Sequence, residues 1–442
     1  MTDNISTREL SLQMLIEINE KGQFSHIVLK GVLDKYQYLP KKERAFITRL
    51  TDGTMEHLIE LDHIIDLFSK TKTKKMKPLI RNLMRMSVYQ IKYMDSVPDA
   101  AVCNEAVKLA KKHKFGQLSG FVNGVLRNIA RNINDIKYPD VKKEFNKYLS
   151  VRYSMPEWIV RKFIKDYGNE KTQEILAAFQ SGNSISIRVN TAKCTPSELK
   201  DILCDEGVCV EEIEGFDYAF VISGFDYLNS LESFRNGLFY VQDVSSMMVA
   251  EYAKPEHGDH VIDVCAAPGG KSTHIAELLN GSGFVEARDL TDYKVSLIEE
   301  NIKRHGLSNM GAVCMDATVF DEASVEKADI LICDLPCSGL GVLGRKKDIR
   351  YKMTEQSLDG LAELQKEILD TVHTYVRKGK KLIYSTCTMN PAENEENVRW
   401  FINRYPEFEL ETSKQMFPKE IGNDGFFIAV LKIGRASCRE RV

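Results

Sequence analysis

Length, composition and charge set the first limits on this chain. It has 442 residues, of which 43% are hydrophobic and 28% are charged, as in globular proteins of two or three domains. No apolar run is long enough to span a bilayer, and the polar N-terminus lacks the apolar core of a signal peptide. Ten cysteines without a C-x-x-C pair argue against a zinc ribbon or a disulfide framework, so we expect a reducing cytoplasm.

The charge is unevenly distributed along the chain. The first 150 residues carry a net charge of +9, whereas the remainder carries −12. A basic third joined to an acidic remainder indicates that the first part binds a polyanion. Ordinary solvated helix faces are the alternative explanation.

The N-terminal third has helical periodicity throughout. Apolar residues recur on one face, as at Leu10, Met14 and Ile18, and hardly any strand-like alternation occurs before residue 131. We therefore predict an all-α helical bundle over residues 1–135. A polar and basic linker with some helical content follows at residues 136–150.

Residues 151–240 change from helical to strand-like periodicity. Strands are predicted at residues 185–189, 219–222 and 238–241. A helix is predicted between the first two strands, at residues 195–206. This pattern indicates a small α+β module. Arg188 and Asn190 lie on the polar face of its first strand and are candidate RNA contacts, with solvent exposure as the alternative.

Residues 241–433 form the last predicted domain. Its first segment, residues 261–273, has the sequence V-I-D-V-C-A-A-P-G-G-K-S-T, which predicts a buried strand, a glycine turn and a helix start. This is the opening of a doubly wound, Rossmann-like α/β fold, in which the turn and the helix N-terminus approach a polar ligand. A plain turn is the alternative for this segment alone.

Three acidic residues then follow predicted strands of the same sheet. Asp289, Asp316 and Asp334 come at or just after the ends of β-like segments. Carboxyl ends of parallel strands share one edge of a sheet, so all three should point into its ligand crevice. Asp289 lies about 20 residues past the glycines, where an acid accepts hydrogen bonds from ribose hydroxyls.

Two cysteines lie just past strand ends in the same sheet. Cys337 is in the D-L-P-C-S-G run that begins at Asp334, and Cys387 is in Y-S-T-C-T, which N-P-A-E-N-E-E-N follows two residues later. A single cysteine there would more often be a small buried hydrophobe. Two cysteines, each flanked by turn residues, predict reactive thiols.

Parts of this sequence resemble two known families. The segments S-V-P-D-A-A-V-C-N-E-A-V-K-L-A-K-K-H and S-G-F-V-N-G-V-L-R-N-I resemble the NusB-type RNA-binding domain, over residues 5–132. The runs C-A-A-P-G-G-K, D-L-P-C-S and Y-S-T-C-T resemble the S-adenosylmethionine-dependent RNA cytosine-C5 methyltransferases of the Nol1/Nop2/Sun family. Together the resemblances imply a methyltransferase whose partner is 16S ribosomal RNA, and we expect a monomer without a metal or a membrane partner.

The resemblance also implies roles for individual residues. The cofactor loop would consist of Cys265, Ala266, Ala267, Pro268, Gly269, Gly270 and Lys271. Asp289 would hold the ribose, Asp316 would lie by the adenine, and Asp334 would lie next to both cofactor and target base. Cys387 would be the nucleophile, and Cys337 would help to release the product.

The chemistry of cytosine is consistent with these roles. C5 is a poor nucleophile, and a thiolate that adds at C6 makes it enamine-like and able to accept a methyl group. Asp334, in its acid form, would stabilise the adduct by protonating or hydrogen-bonding N3. A base must then remove the C5 proton, and Cys337 is the nearest candidate. Ionisation of Cys387 requires positive charge, from Lys271 or from the cationic cofactor.

Two further segments and two alternative functions complete the interpretation. The basic residues 344–351, with Arg345 and Arg350, predict a loop that grips the RNA strand at the active site. Residues 434–442 continue no pattern, so we interpret them as a foreign tail and exclude Cys438 from the chemistry. The alternatives are a DNA cytosine-C5 methyltransferase, and a non-catalytic ribosome-assembly or antitermination factor.

Overall fold

A computed structural model describes residues 6–182, 184–419 and 422–434 of the chain. Residues 435–442 of the suspected tail, with Cys438, lie outside the described residues. The described residues form two compact units. Those up to Ser181 make up the first unit together with Leu343–Lys352, and those of Gly182–Val342 and from Met353 onward make up the second.

The described part of the chain contains seventeen α-helices and eleven strands. The helices are α1 (Thr7–Lys21), α2 (Ser25–Lys35), α3 (Lys41–Glu56), α4 (Leu58–Phe68), α5 (Pro78–Tyr93), α6 (Asp99–Lys112), α7 (Ser119–Arg131), α8 (Phe145–Arg152), α9 (Glu157–Gln180), α10 (Pro196–Asp205), α11 (Glu232–Arg235), α12 (Val244–Ala253), α13 (Gly270–Leu278), α14 (Asp292–His305), α15 (Ile349–Lys352), α16 (Glu355–Val372) and α17 (Glu395–Arg404). The strands are β1 (Ile185–Val189), β2 (Cys209–Glu212), β3 (Ala219–Ser223), β4 (Phe239–Val241), β5 (His260–Asp263), β6 (Phe284–Asp289), β7 (Met310–Cys314), β8 (Ala328–Asp334), β9 (Val376–Thr386), β10 (Phe408–Met416) and β11 (Phe426–Ile433). Among these helices, none has both the length and the hydrophobicity that a bilayer span needs.

The first unit is a helical bundle, as predicted. The apolar stripes of α1, α4, α5 and α7 meet in one core, where Leu12, Leu61, Leu83 and Leu126 are fully buried. The unit also takes in α8 and α9, and α9 breaks at Gly168, where φ is 79°. The bundle therefore extends beyond the predicted end at residue 135, and α8 lies partly within the segment that was predicted as a linker.

The basic loop after the Asp334 motif packs within this helical unit. The Asp348 carboxylate accepts hydrogen bonds from the backbone N–H of Ser25 at 3.1 Å and from its hydroxyl at 2.8 Å. The Arg350 side chain is fully buried and donates to the carbonyl oxygen of Leu343. The prediction that Arg350 contacts RNA is therefore wrong, because its guanidinium faces the protein interior. Arg345 is half-buried, and its RNA contact stays a prediction.

The second unit begins with a small antiparallel sheet of order β2-β3-β1-β4. Its inner face buries Ile187, Val189 and Phe220 against Leu199 and Leu203 of α10. Three of its strands and its helix agree with the predicted α+β module. β2 was not predicted, because its residues alternate weakly and are mostly exposed.

The larger sheet has the order β10-β11-β9-β8-β5-β6-β7. The strands from β9 to β7 run parallel, and β11 pairs antiparallel with both β9 and β10. The central strands bury Val261, Leu331 and Leu382 completely, which explains their continuous apolar runs. The predicted Rossmann-like fold is confirmed. Its carboxyl edge carries the turns that follow β5, β6, β7, β8 and β9.

Candidate active site

The glycine-rich loop after β5 leads the chain into α13 at the carboxyl edge of the sheet. Gly269 has a φ of 103°, in the left-handed region that glycine adopts readily. Its N–H donates to the carbonyl oxygen of Ala266 at 2.7 Å. The carbonyl oxygen of Pro268 accepts from the hydroxyl of Tyr240 at 3.1 Å and from the side-chain amide of Asn301 at 2.9 Å. The loop is therefore fixed by the small sheet on one side and by α14 on the other.

Asp289 connects this loop to the next crossover. Its Oδ2 accepts from the N–H of Ala267 at 2.9 Å, and its Oδ1 accepts from the N–H of Leu290 and from Lys294 Nζ, both at 2.8 Å. The side chain is buried at the end of β6, as the sequence predicted for its position. These contacts leave acceptor capacity on the carboxylate, next to the glycine-rich loop.

Asp316 lies two residues past β7 on the same edge. Its Oδ1 accepts from the backbone N–H of Thr318 at 2.9 Å and from the Thr318 hydroxyl at 2.7 Å. These hydrogen bonds lower the pKa of Asp316. The structure thus brings the three acids that end β6, β7 and β8 to one edge of the sheet, which is where the strand pattern placed them.

Asp334, at the end of β8, has two hydrogen-bond donors. Lys271 Nζ donates to its Oδ2 at 2.6 Å, and Ser385 Oγ donates to its Oδ1 at 2.8 Å. Ser385 is also its register partner on β9. Asp334 is therefore an acceptor in this arrangement, whereas the sequence-based mechanism used it as a proton donor. The ammonium of Lys271 is the group that carries the protons.

The surroundings of Lys271 favour its charged form. Burial alone would lower its pKa, but the carboxylates of Asp334 and Asp263 and the thiol of Cys387 together raise it. Asp263 is itself buried, which raises the pKa of its carboxyl to about 7, and it accepts a hydrogen bond from Ser272 Oγ at 2.5 Å. A half-buried cation therefore lies beside the carboxyl edge.

The two cysteines that the sequence singled out lie together. Cys337 Sγ is 3.2 Å from Cys387 Sγ, and neither cysteine is in a disulfide bond. Asp334 and Ser385 are opposite each other in the β8–β9 register, so the turns that carry the two cysteines leave adjacent strands at the same level. The hydrogen bond with Cys387 is the largest cause of a raised pKa at Cys337, and burial adds to it.

The turn after Cys337 packs tightly against the Cys387 backbone. The N–H of Gly341 donates to the carbonyl oxygen of Cys387 at 3.1 Å. A Cβ at Gly341 would collide with the carbonyl oxygen of Gly425 and would lie 2.9 Å from that of Cys387. Only glycine fits at this position without moving the Cys387 turn.

A buried polar network behind the cysteines was not anticipated. Glu393 is fully buried, and its carboxylate accepts from the N–H of Ser338, from Gln365 and from Asn390. Asn394 accepts from the Thr386 hydroxyl at 2.6 Å. The N-P-A-E-N run after Cys387 was visible in the sequence. Its partners are distant in the chain, however, so no local pattern revealed the network.

Two predicted RNA contacts of the small module are internal instead. Arg188 is 1% exposed and donates to the side chains of Gln242 and Glu277. Asn190 is fully buried and donates to the carbonyl oxygen of Gly237 at 2.9 Å. The prediction that either residue contacts RNA is therefore wrong. The polar face of β1 packs against α13 and α14 rather than facing solvent.

Comparison with known proteins assigns a family to each part of this fold. The NusB family matches residues 5–131, a Methyltr_RsmF/B-like, ferredoxin-like domain matches residues 155–225, and 16S rRNA methyltransferase RsmB/F matches residues 250–432. A helical NusB domain, a ferredoxin-like module and a Rossmann-like sheet with two thiols at its carboxyl edge define a multidomain methyltransferase.

Full-length relatives narrow this class. A probable ribosomal RNA small subunit methyltransferase B of Bacillus subtilis is 36% identical over 97% of this chain and 98% of its own length. The ribosomal RNA small subunit methyltransferase B of Klebsiella pneumoniae is 31% identical over 98% of this chain and 99% of its own. The chain therefore belongs to the ribosomal RNA small subunit methyltransferase B family, as the sequence motifs predicted.

Solved structures show the same architecture. The crystal structure of PH0851 matches 96% of this chain and 98% of its own with a TM-score of 0.81 at 25% identity. NSun6 from Pyrococcus horikoshii with SFG matches 67% of this chain and 98% of its own with a TM-score of 0.56 at 24% identity, a likeness of fold alone.

The predicted cofactor, S-adenosylmethionine, is the methyl donor of this family. The residues at the carboxyl edge suit it. The Asp289 carboxylate has acceptor capacity for ribose hydroxyls and already accepts from the Ala267 N–H of the glycine-rich loop. Leu290 and Val319 are 56% and 61% exposed next to Asp289 and Asp316, where apolar side chains can contact an adenine.

Proposed function

We propose that the protein methylates C5 of a cytosine in 16S ribosomal RNA and that Cys387 is its nucleophile. The observation that carries this proposal is the pair of thiols 3.2 Å apart beside the Lys271–Asp334 ion pair. Methyl transfer to a nitrogen or an oxygen needs no thiol. Transfer to C5 of a pyrimidine needs one to activate the ring and gains from a second group that reverses the activation.

The first step is the addition of the Cys387 thiolate to C6. An S–C6 bond forms, and the electron pair of the C5–C6 double bond moves toward C5 and N3. The Lys271 ammonium favours the thiolate and the negative charge that develops on the ring. Lys271 is a donor and Asp334 is an acceptor, a pair that matches the N3 acceptor and the N4 amino donor of cytosine.

Bound S-adenosylmethionine supplies an electrophilic methyl group for C5. The C5 proton must then leave, and its bonding pair restores the C5–C6 double bond and expels the Cys387 thiolate. We assign the acceptance of that proton to Cys337. Its thiol has a raised pKa chiefly because of Cys387, and this effect ends once the Cys387 sulfur is bonded to C6. Cys337 thus becomes easier to ionise at the stage when a base is required.

The RNA substrate must present its cytosine outside a base stack. A thiol can reach C6 only when the base has left its stack, so the target is single-stranded or flipped out. A cytoplasmic location suits a site that needs two reduced thiols. We retain Arg345 as a candidate RNA contact, since it is only half-buried.

Alanine variants of the two cysteines test the proposal. Methyl transfer is measured with labelled S-adenosylmethionine and 16S RNA from a strain that lacks the gene. Cys387→Ala should lose activity by about 10³-fold or more, because no other group can activate C6. Cys337→Ala should accumulate a covalent protein–RNA adduct that resists denaturation. Cys204→Ala, at an exposed cysteine of α10, is the control.

The outcomes separate the candidate functions. Full activity of Cys387→Ala would refute the assigned roles. Failure of the unaltered protein to transfer methyl groups to any RNA fraction would favour a non-catalytic assembly factor. Bisulfite mapping of the ribosomal RNA of the deletion strain identifies the modified cytosine.

A further inference from the structure

Glu393 is a buried carboxylate directly behind the two cysteines. It lies in the turn between β9 and α17 and is fully buried. Its Oε2 accepts from the Ser338 N–H at 2.9 Å and from Gln365 Nε2 at 3.0 Å, and its Oε1 accepts from Asn390 Nδ2 at 2.9 Å. All three partners are neutral N–H donors, the set that an ionised carboxylate requires. Within the part of the chain that the structure describes, no cation forms an ion pair with Glu393, so hydrogen bonds hold its negative charge.

These hydrogen bonds join the two turns that carry the cysteines. Ser338 directly follows Cys337, and Asn390 lies three residues after Cys387. Gln365, on α16, also donates to the carbonyl oxygen of Pro336 at 2.9 Å. The Cys337 turn is therefore attached on both sides of its thiol to groups that meet at Glu393.

We propose that Glu393 is a positioning residue for the two thiols: it holds the Cys337 turn against the Cys387 turn, and its charge keeps Cys337 neutral while Cys387 ionises. The proposal rests on the proposed function for the roles of the thiols. The hydrogen bonds and charges from which it is argued are those of the protein without RNA or cofactor.

The charges around the two sulfurs differ in sign. The thiol of Cys387 is close enough to Lys271 to contribute to the raised pKa of that ammonium. Cys337 faces Cys387 and Glu393, and both raise its pKa together with burial. Two further titratable groups lie nearby: Tyr384 of β9, whose hydroxyl donates to the carbonyl oxygen of Glu393, and the buried thiol of Cys333 on β8. A cation beside Cys387 favours its thiolate, and an anion beside Cys337 disfavours its thiolate, so the two thiols have different pKa values.

Replacement of Glu393 by Gln removes the charge and one acceptor. The new amide nitrogen would face N–H donors, so at least one hydrogen bond is lost and the Cys337 turn is released. We expect kcat to fall about tenfold or more, with an unchanged KM for S-adenosylmethionine. We also expect the pH dependence of Cys337 alkylation to move about one unit lower, which is about tenfold in reactivity at a fixed pH.

Glu393→Asp separates position from charge. The shorter side chain keeps the negative charge but cannot reach all three donors. It should therefore lower kcat while leaving the pH dependence of Cys337 alkylation unchanged. Glu396→Gln is the matched control, since it makes the same charge change at an exposed residue of α17. Circular dichroism spectra show whether each variant is folded.

The decisive measurement is alkylation of the full-length protein by iodoacetamide between pH 6 and 10, with Cys337 and Cys387 quantified separately by mass spectrometry. A downward shift for Cys337 in Glu393→Gln, absent in Glu393→Asp and Glu396→Gln, supports the proposal. An unshifted profile in Glu393→Gln, or an equal shift in Glu393→Asp, overturns the electrostatic role. Unchanged kcat in Glu393→Asp overturns the positioning role. Alkylation needs no RNA, so its result stands even if the proposed methylation fails.

Discussion

The buried ion pair between the small sheet and α13 gives the sharpest test of the corrected role of Arg188. Arg188 and Glu277 each have 1% of the side chain exposed, and the guanidinium also donates to Gln242 at 2.8 Å and to Thr273 at 3.1 Å. If Arg188 is a structural link, its loss must destabilise the second unit and leave the affinity for RNA unchanged.

The expected loss of stability follows from the burial of the ion pair. Arg188→Met keeps most of the side-chain volume, so the cavity contribution is small. The cost comes mainly from the unpaired charge left at Glu277 and amounts to about 3–5 kcal/mol. Adding Glu277→Gln removes that charge, so the double variant should be destabilised by clearly less than the sum of the single variants. Lys200→Met, at a pair whose lysine is 42% exposed, should change stability by less than about 0.5 kcal/mol.

Urea unfolding followed by the fluorescence of Trp400 in α17, with Trp158 of α9 replaced by Phe in every variant, measures the stability of the second unit. The salt dependence of RNA binding is measured in parallel, because each lost phosphate contact lowers its slope by about one. An unchanged unfolding midpoint for Arg188→Met together with a lower salt slope would restore the RNA contact and refute the structural role.

Two further predictions concern the acids of the carboxyl edge. Asp289→Asn should weaken S-adenosylmethionine binding about 10–100-fold in calorimetry, because a carboxylate acceptor is lost, while Asp292→Asn at the exposed start of α14 serves as the control that leaves it unchanged. Burial raises the pKa of Asp263 from 3.8 to about 7, so the folded state keeps a proton that the unfolded chain releases, and stability falls as pH rises through this window. The Asp263→Asn variant should lose less stability than the unaltered protein between pH 4 and 7 in urea unfolding, and an equal loss in both would contradict the assignment.

The parts of the fold that follow from local periodicity were predictable. Continuous apolar runs identify β5 and β8. The three acids and the two cysteines lie at or just past the ends of β6 to β9, on the carboxyl edge where the strand pattern placed them. The 3.6-residue repeat identified the bundle. β10 was missed because its residues are mostly exposed, and it is identified as a strand only by its pairing with β11.

The predictions that were wrong concern residues whose contact partners are far away in the sequence. An alternating strand shows that Arg188 and Asn190 share a face, but the pattern does not tell whether that face meets solvent or another helix. The basic residues after the Asp334 motif suggested a nucleic-acid contact, but long-range contacts such as that between Asp348 and Ser25 show that they pack in the helical unit. Charged residues at polar positions were taken as exposed, although buried ion pairs occupy such positions too.

The spacing of the two cysteines matters as much as their identity. Asp334 and Ser385 are register partners on adjacent parallel strands, and Cys337 and Cys387 lie three and two residues beyond them. The sulfurs are 3.2 Å apart only because both turns keep these lengths and because Gly341 lets the first turn pack against the carbonyl oxygen of Cys387. One additional residue in either turn would move its thiol by about 3.3 Å, a full residue step along an extended chain. Such a change would separate the nucleophile from the group that releases it while leaving every side chain of the site present.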